Sequence, residues 1–210
     1  MKIFAFCLLA SGFAHAAPSD KALDKLQAAW DQTKSYQADF TQNVTSKGSG
    51  MQEDPGEGTL TVVKPNRLRW EDRAAHTLQI LNGKKHWDIA ENVRRKSRTV
   101  THREDISALM AKSALAILAG NGKFKEYYKV KLVSETDKEA VLQLNPKTDT
   151  SETLIAKIDK NGYVLRSLTT ESSDSKVVVE FKNIKRNATF PDDLFVYKKQ
   201  ENDVFETRKD

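Results

Sequence analysis

Short alternating stretches, packed one after another with only turns between them, constrain this chain more than any other feature. In residues 36–45, Tyr36, Ala38, Phe40, Gln42 and Val44 alternate with Gln37, Asp39, Thr41, Asn43 and Thr45. That period of two marks a half-buried strand. Further runs of this kind occupy residues 78–81, 85–89, 93–100, 127–134, 140–144, 154–159, 163–169 and 176–184. Asn82-Gly83 signals a type I′ hairpin, and Lys160-Asn161-Gly162 separates another pair. Parallel strands need crossover connections of a dozen or more residues, and such tight turns leave no room for them. The expectation is an antiparallel sheet, curled or closed.

Two stretches depart from that period. In residues 19–33, Ala22, Leu23, Leu26, Ala29 and Trp30 form one stripe, with Asp24, Lys25 and Asp31 on the other side. Ser19 suits the cap and Asp20 the N-terminal dipole of such a helix. Residues 103–122 read as a second helix ending in a glycine-rich cap. Ile106, Leu109, Met110 and Ile117 mark one of its faces, and Ala111, Leu115 and Leu118 another. A helix apolar around most of its circumference is buried on more than one side. It is either a core helix crossing the sheet or a lid facing a cavity. The fold class is therefore α+β.

The N-terminus sets the compartment. Lys2, an apolar run from Ile3 to Leu9, and Ala14-x-Ala16 read as a secretory signal cut after Ala16, leaving residues 17–210 as one domain. Cys7, the one cysteine, leaves with the signal, so the exported chain must fold on its core without disulfides. The formal charge of +5 directs an exported protein toward anionic lipid or acidic protein patches rather than nucleic acid. Val93 to Arg98, "VRRKSR", is the densest basic run; it is either a solvated strand face or a docking patch.

No catalytic constellation stands out. His76, His86 and His102 lack the short spacing of a zinc pair, and no G-x-S-x-G, P-loop or G-x-G-x-x-G occurs. The expectation is a binding protein, not an enzyme, with no metal or cofactor. The unusual element is a cation in an apolar face. In "TLTVVKPNRLRW", Leu60, Val62, Lys64, Leu68 and Trp70 share one parity. Lys64 must snorkel to water, find a partner or serve a ligand. Pro65 could also simply end a strand at the rim.

Read in order, "SYQADFTQNV", "GEGTLTVVKPNRLRW", Asn82-Gly83 with Trp87, a helical interruption and a final "FPDDLF" resemble the LolA family of periplasmic outer-membrane lipoprotein carriers. The likeness extends over essentially all of residues 17–210. It implies an incomplete, half-open antiparallel β-barrel covered by an α-helical lid, its interior holding the acyl chains of a lipoprotein. It implies a monomer that shuttles acylated lipoproteins from an inner-membrane ABC-type release complex to an outer-membrane acceptor. The acyl cavity would be lined by Leu23, Leu26 and Trp30 of the first helix, Leu109, Met110 and Ile117 of the second, and Phe40, Leu60, Val62, Leu68 and Trp70 of the sheet. The family carries an arginine before Pro-Asn that latches the lid; Lys64 stands there in this chain. A lysine supplies a point charge where arginine supplies a planar fork, so a weaker latch is expected. Membrane stress regulators also resemble this half-barrel, so a periplasmic domain sensing a lipid or protein signal is the alternative.

Overall fold

The computed structural model describes residues 18–83, 85–104, 124–147 and 152–206. Its first element is helix α1 (Pro18–Asp31), followed by β1 (Ser35–Ser46), β2 (Gly56–Val63), β3 (Arg67–Asp72), β4 (Thr77–Asn82), β5 (Lys85–Asn92) and β6 (Ser97–Arg103). After one helical turn at Phe124–Tyr127 come β7 (Tyr128–Glu135), β8 (Glu139–Pro146), β9 (Thr153–Asp159), β10 (Val164–Glu171) and β11 (Ser175–Arg186). A 3-10 turn at Asp192–Phe195 precedes β12 (Asp203–Glu206).

These strands form one sheet in the order β12-β6-β5-β4-β3-β2-β1-β11-β10-β9-β8-β7, with β12 and β7 at its open ends. Every pairing is antiparallel except β12 with β6. The sheet must curl. Helix α1 lies against β7 and β8, yet its Trp30 reaches the β2–β3 turn through Lys64. On a flat sheet β2 and β8 would stand about 24 Å apart at the usual strand spacing. A helix is only about 10 Å across, so the strands wrap around it. The sheet thus has a concave face, filled by one continuous apolar cluster that includes α1, and a convex face bearing a smaller cluster of Ile80, Ile89 and Val100.

The structure departs from the sequence expectations at several turns. Residues 59–70 are not one interrupted strand but the β2–β3 hairpin, which turns back at Lys64, Pro65 and Asn66. The shared parity survives because Leu60 pairs with Trp70 and Val62 with Leu68. Asn82 belongs to β4 and pairs with Lys85, so the β4–β5 turn falls one residue later than Asn82-Gly83, with Gly83 at positive φ. The run beginning at Val93 is not strand throughout: residues 93–96 form the β5–β6 turn, and β6 starts at Ser97. Arg103, expected to open a helix, ends β6. Residues after "FPDDLF" add β12 to the sheet edge, which local periodicity did not announce. The expected signal (residues 1–16) and most of the expected second helix lie outside the described residues.

Two motif residues find their reasons here. Gly58 pairs with Phe40, and a Cβ on it would sit 1.8 Å from the Glu71 carbonyl oxygen and 2.7 Å from the Phe40 ring. Only a residue without a side chain fits beneath that ring. Asn66 takes φ 61, a left-handed conformation that asparagine tolerates, and its carbonyl accepts the Gly83 N–H at 2.8 Å. The turns after β2 and β4 are thereby braced against each other.

Candidate functional site

The concave hollow is the candidate site. Leu23, Leu26 and Trp30, spaced three and four residues apart, present one inward face of α1 and are buried. Opposite them, Phe40 of β1, Leu60 and Val62 of β2 and Leu68 of β3 are buried in the same cluster. Trp70 of β3 is partly buried against it, its ring 4.4 Å from that of Phe40. These eight expected cavity residues meet in one place. Leu109, Met110 and Ile117 lie outside the described residues.

Sequence reasoning missed the other half of the hollow. Leu142 and Leu144 of β8, Leu154 and Ala156 of β9, Leu165 and Leu168 of β10 and Phe181 of β11 are buried in the same cluster. Their alternation was visible, but nothing local said that β8–β11 would curl round to meet α1. Tyr36 joins the halves: its ring edge meets Trp30 at 5.7 Å and Phe181 at 6.1 Å, and its hydroxyl donates to the Leu165 carbonyl at 3.3 Å. Burial raises the Tyr36 phenol well above its ordinary pKa.

The hollow is closed by its own side chains. Leu26, Trp30, Phe124, Leu144, Ala156, Leu165 and Leu168 surround a void of about 10 Å³. About 10–15 Å³ is the least that holds one water, so a hydrocarbon tail enters this space only if the cover moves.

The cover is fastened at its C-terminal end. The Lys64 ammonium donates a hydrogen bond to the Trp30 carbonyl and stands 4.4 Å above the Trp30 ring centre. The Lys64 N–H donates to the Lys34 carbonyl at 2.9 Å, tying the chain leaving α1 to the same turn. A cation at the last turn of a helix also meets the negative end of its dipole. Against these attractions, burial lowers the lysine pKa, with Asp31 opposing the shift. The ammonium therefore regains hydration when the helix lifts, which weakens the fastening. A second weakness lies beside it: among the described residues the buried Trp30 indole N–H has no hydrogen-bond partner. Such an orphaned donor costs about 1–3 kcal/mol.

Further along α1, the Gln27 side-chain oxygen accepts the Phe124 N–H at 2.7 Å, and Asp24 pairs with Lys125 at 2.8 Å. Arg67 and Arg69 face the convex side, as their parity requires. Arg67 binds Asp192, while Arg69 pairs with Glu71 at 2.9 Å. Neither reaches the hollow to assist Lys64. His86 of β5 is buried opposite Leu81 of β4, and Trp87 faces the convex side.

Fold and site define a class: an open antiparallel sheet wrapped around an apolar hollow, capped by a helix whose hold is polar and local. Residues 31–198 match the family described as outer membrane lipoprotein carrier protein LolA, and the chain belongs to that family. It is similar to the outer-membrane lipoprotein carrier protein of Chromobacterium violaceum, 26% identical over 191 residues, covering 90% of this chain and 88% of that one. The carrier protein of Haemophilus influenzae is 28% identical over 204 residues, covering 94% and 91%. Among solved structures, a DUF1329 family protein from Desulfovibrio piger shares the fold with a TM-score of 0.51 at 12% identity, covering 87% of this chain and 98% of that one.

Proposed function

We propose that this chain carries lipoproteins through the periplasm, sheltering their acyl chains in the hollow beneath α1, and that it performs no chemical reaction. Residues 1–16 act as the export signal and 17–210 as the carrier unit. Loading takes place at an inner-membrane ABC-type release complex and delivery at an outer-membrane acceptor. Membership of the carrier family supports this reading. The observation that carries it is the pairing of an apolar-lined hollow with a cover whose C-terminal turn is held by one ammonium.

Energetics explain why such a cover suits the task. At about 0.8 kcal/mol per methylene, exposing a sixteen-carbon chain to water costs about 12 kcal/mol. A carrier must recover most of this without trapping the cargo. When a tail displaces Leu26 and Trp30 from Leu144, Ala156 and Leu168, one set of apolar contacts replaces another. The exchange is nearly neutral in burial, so the small cost of releasing Lys64 sets the balance between empty and loaded forms. Closing again after delivery restores the latch and disfavours recapture.

Release of lipoprotein from spheroplasts tests the reading. Labelled lipoproteins should leave the membrane and co-purify with the added protein. No co-purification, where another member of the family succeeds, sinks the proposal.

A further inference from the structure

The charged surface is not uniformly paired. Cations near the C-terminal segment are engaged: Arg98 pairs with Asp203 at 2.9 Å, Lys198 with Asp193 at 3.3 Å, and Lys199 lies 5.7 Å from the Phe205 ring centre. Beside them the β5–β6 turn carries Arg94, Arg95 and Lys96 in succession, all exposed, and no ion pair holds any of them among the described residues. Val93, which leads this trio, is 56% exposed. The nearest acid in sequence is Glu91.

The turn is also held by hydrogen bonds. The Asn92 side-chain oxygen accepts the Arg95 N–H at 3.0 Å, and the Asn202 amide donates to the Lys96 carbonyl at 3.0 Å. Arg98 N–H donates to the Asn202 carbonyl at 3.0 Å, so the residue just before β12 braces the turn and the start of β6 from the side. Following the strand directions, it projects from the end of the sheet opposite the Lys64 turn.

We infer that this turn docks the protein on an anionic lipid surface, with Val93 at the headgroup level and the three cations on phosphates. The small size of the patch favours lipid over protein. A specific protein interface needs about 800 Å² from each partner, whereas a charged membrane attracts a few cations and one shallow apolar side chain without a shaped groove. Docking by this end leaves the latch end facing away from the membrane. Each cation near such a surface strengthens partitioning about fivefold, so the three together contribute about a hundredfold.

The test is co-sedimentation of the purified protein with phosphatidylcholine vesicles containing phosphatidylglycerol, at low and at moderate salt. The parent should bind in a salt-sensitive way. Arg94→Gln, Arg95→Gln and Lys96→Gln combined should lose about a hundredfold in partition coefficient. A control with Lys129→Gln, Lys131→Gln and Lys157→Gln, which removes the same charge from other exposed strand positions, should bind like the parent. Equal loss in both variants would mean net charge alone is read, and equal binding of the turn variant and the parent would remove the turn; either overturns the inference. Turn-dependent capture of polyglutamate without vesicle binding would overturn it in favour of an acidic protein partner. None of these outcomes depends on lipoprotein loading, so the carrier proposal stands or falls separately.

Discussion

Both faces of the sheet are covered, but by fastenings of different kinds. On the concave side α1 rests on aliphatic and aromatic side chains and is held at its C-terminal turn by the Lys64 ammonium. On the convex side the segment from the 3-10 turn to β12 is bound by several charges. Arg67 binds Asp192, and Asp203, whose side chain is 0% exposed, takes Arg98, the Tyr197 hydroxyl and the Gln200 N–H. Tyr197 also stacks on Trp87, with ring centres 5.8 Å apart, and β12 adds backbone pairing to β6. Apolar contact is non-directional and can be exchanged for a guest, whereas removing one partner of the buried Arg98–Asp203 pair leaves an uncompensated charge. Under the carrier proposal the first cover is the one that lifts and the second the one that stays.

The largest effect should come from the fixed side. Asp203→Ala leaves Arg98 buried without a counter-charge and should cost about 3 kcal/mol, read as a lower urea midpoint with early loss of the Trp87 environment. If it costs no more than a change at the latch, the contrast between the covers fails. Lys64→Met removes the bond to the Trp30 carbonyl and the cation above the indole. It should weaken the closed form by about 1–2 kcal/mol, raising hydrophobic-dye binding and slowing delivery of cargo while leaving the Trp87 signal unchanged. Trp30→Phe should change the closed form by less than about 1 kcal/mol and leave dye binding near the parent's, because deleting the orphaned N–H offsets the packing and the face for the Lys64 ammonium that the smaller ring loses.

The smallest effect is a pH dependence confined to the convex side. Burial pushes the Asp203 carboxyl up, but hydrogen bonds from Tyr197 and Gln200 and the charge of Arg98 outweigh it and hold the pKa below its ordinary 3.8. A depressed carboxyl contributes stability that is complete above the unfolded value and lost as pH falls through the folded one. The Trp87 environment should therefore hold steady down to about pH 4 and change below it, and Asp203→Ala should abolish that dependence. The Tyr197 phenol, raised to about 12 by burial first and then by Asp203, stays protonated throughout.

Much of the hollow was legible before any fold was known. Leu23, Leu26 and Trp30 declared a helix face, and Phe40, Leu60, Val62, Leu68 and Trp70 declared strand faces, because side chains repeat every 3.6 or two residues whatever their neighbours do. Lys64 stood out for the same reason, as a charge of the wrong kind at its parity. Its partner did not. The Trp30 carbonyl is a backbone group, and no side-chain pattern marks which carbonyl a distant turn will reach.

The sequence by itself determined most of the strands and the α1 stripe, both consequences of local geometry. Only the tertiary structure decided that β1 would pair with β11, that β8–β10 would close the hollow against α1, and that β12 would run parallel to β6. Pairing between strands far apart in the chain depends on which apolar faces match once the sheet curls. That is a property of the assembled surface, and it leaves no periodic trace in the residues that take part.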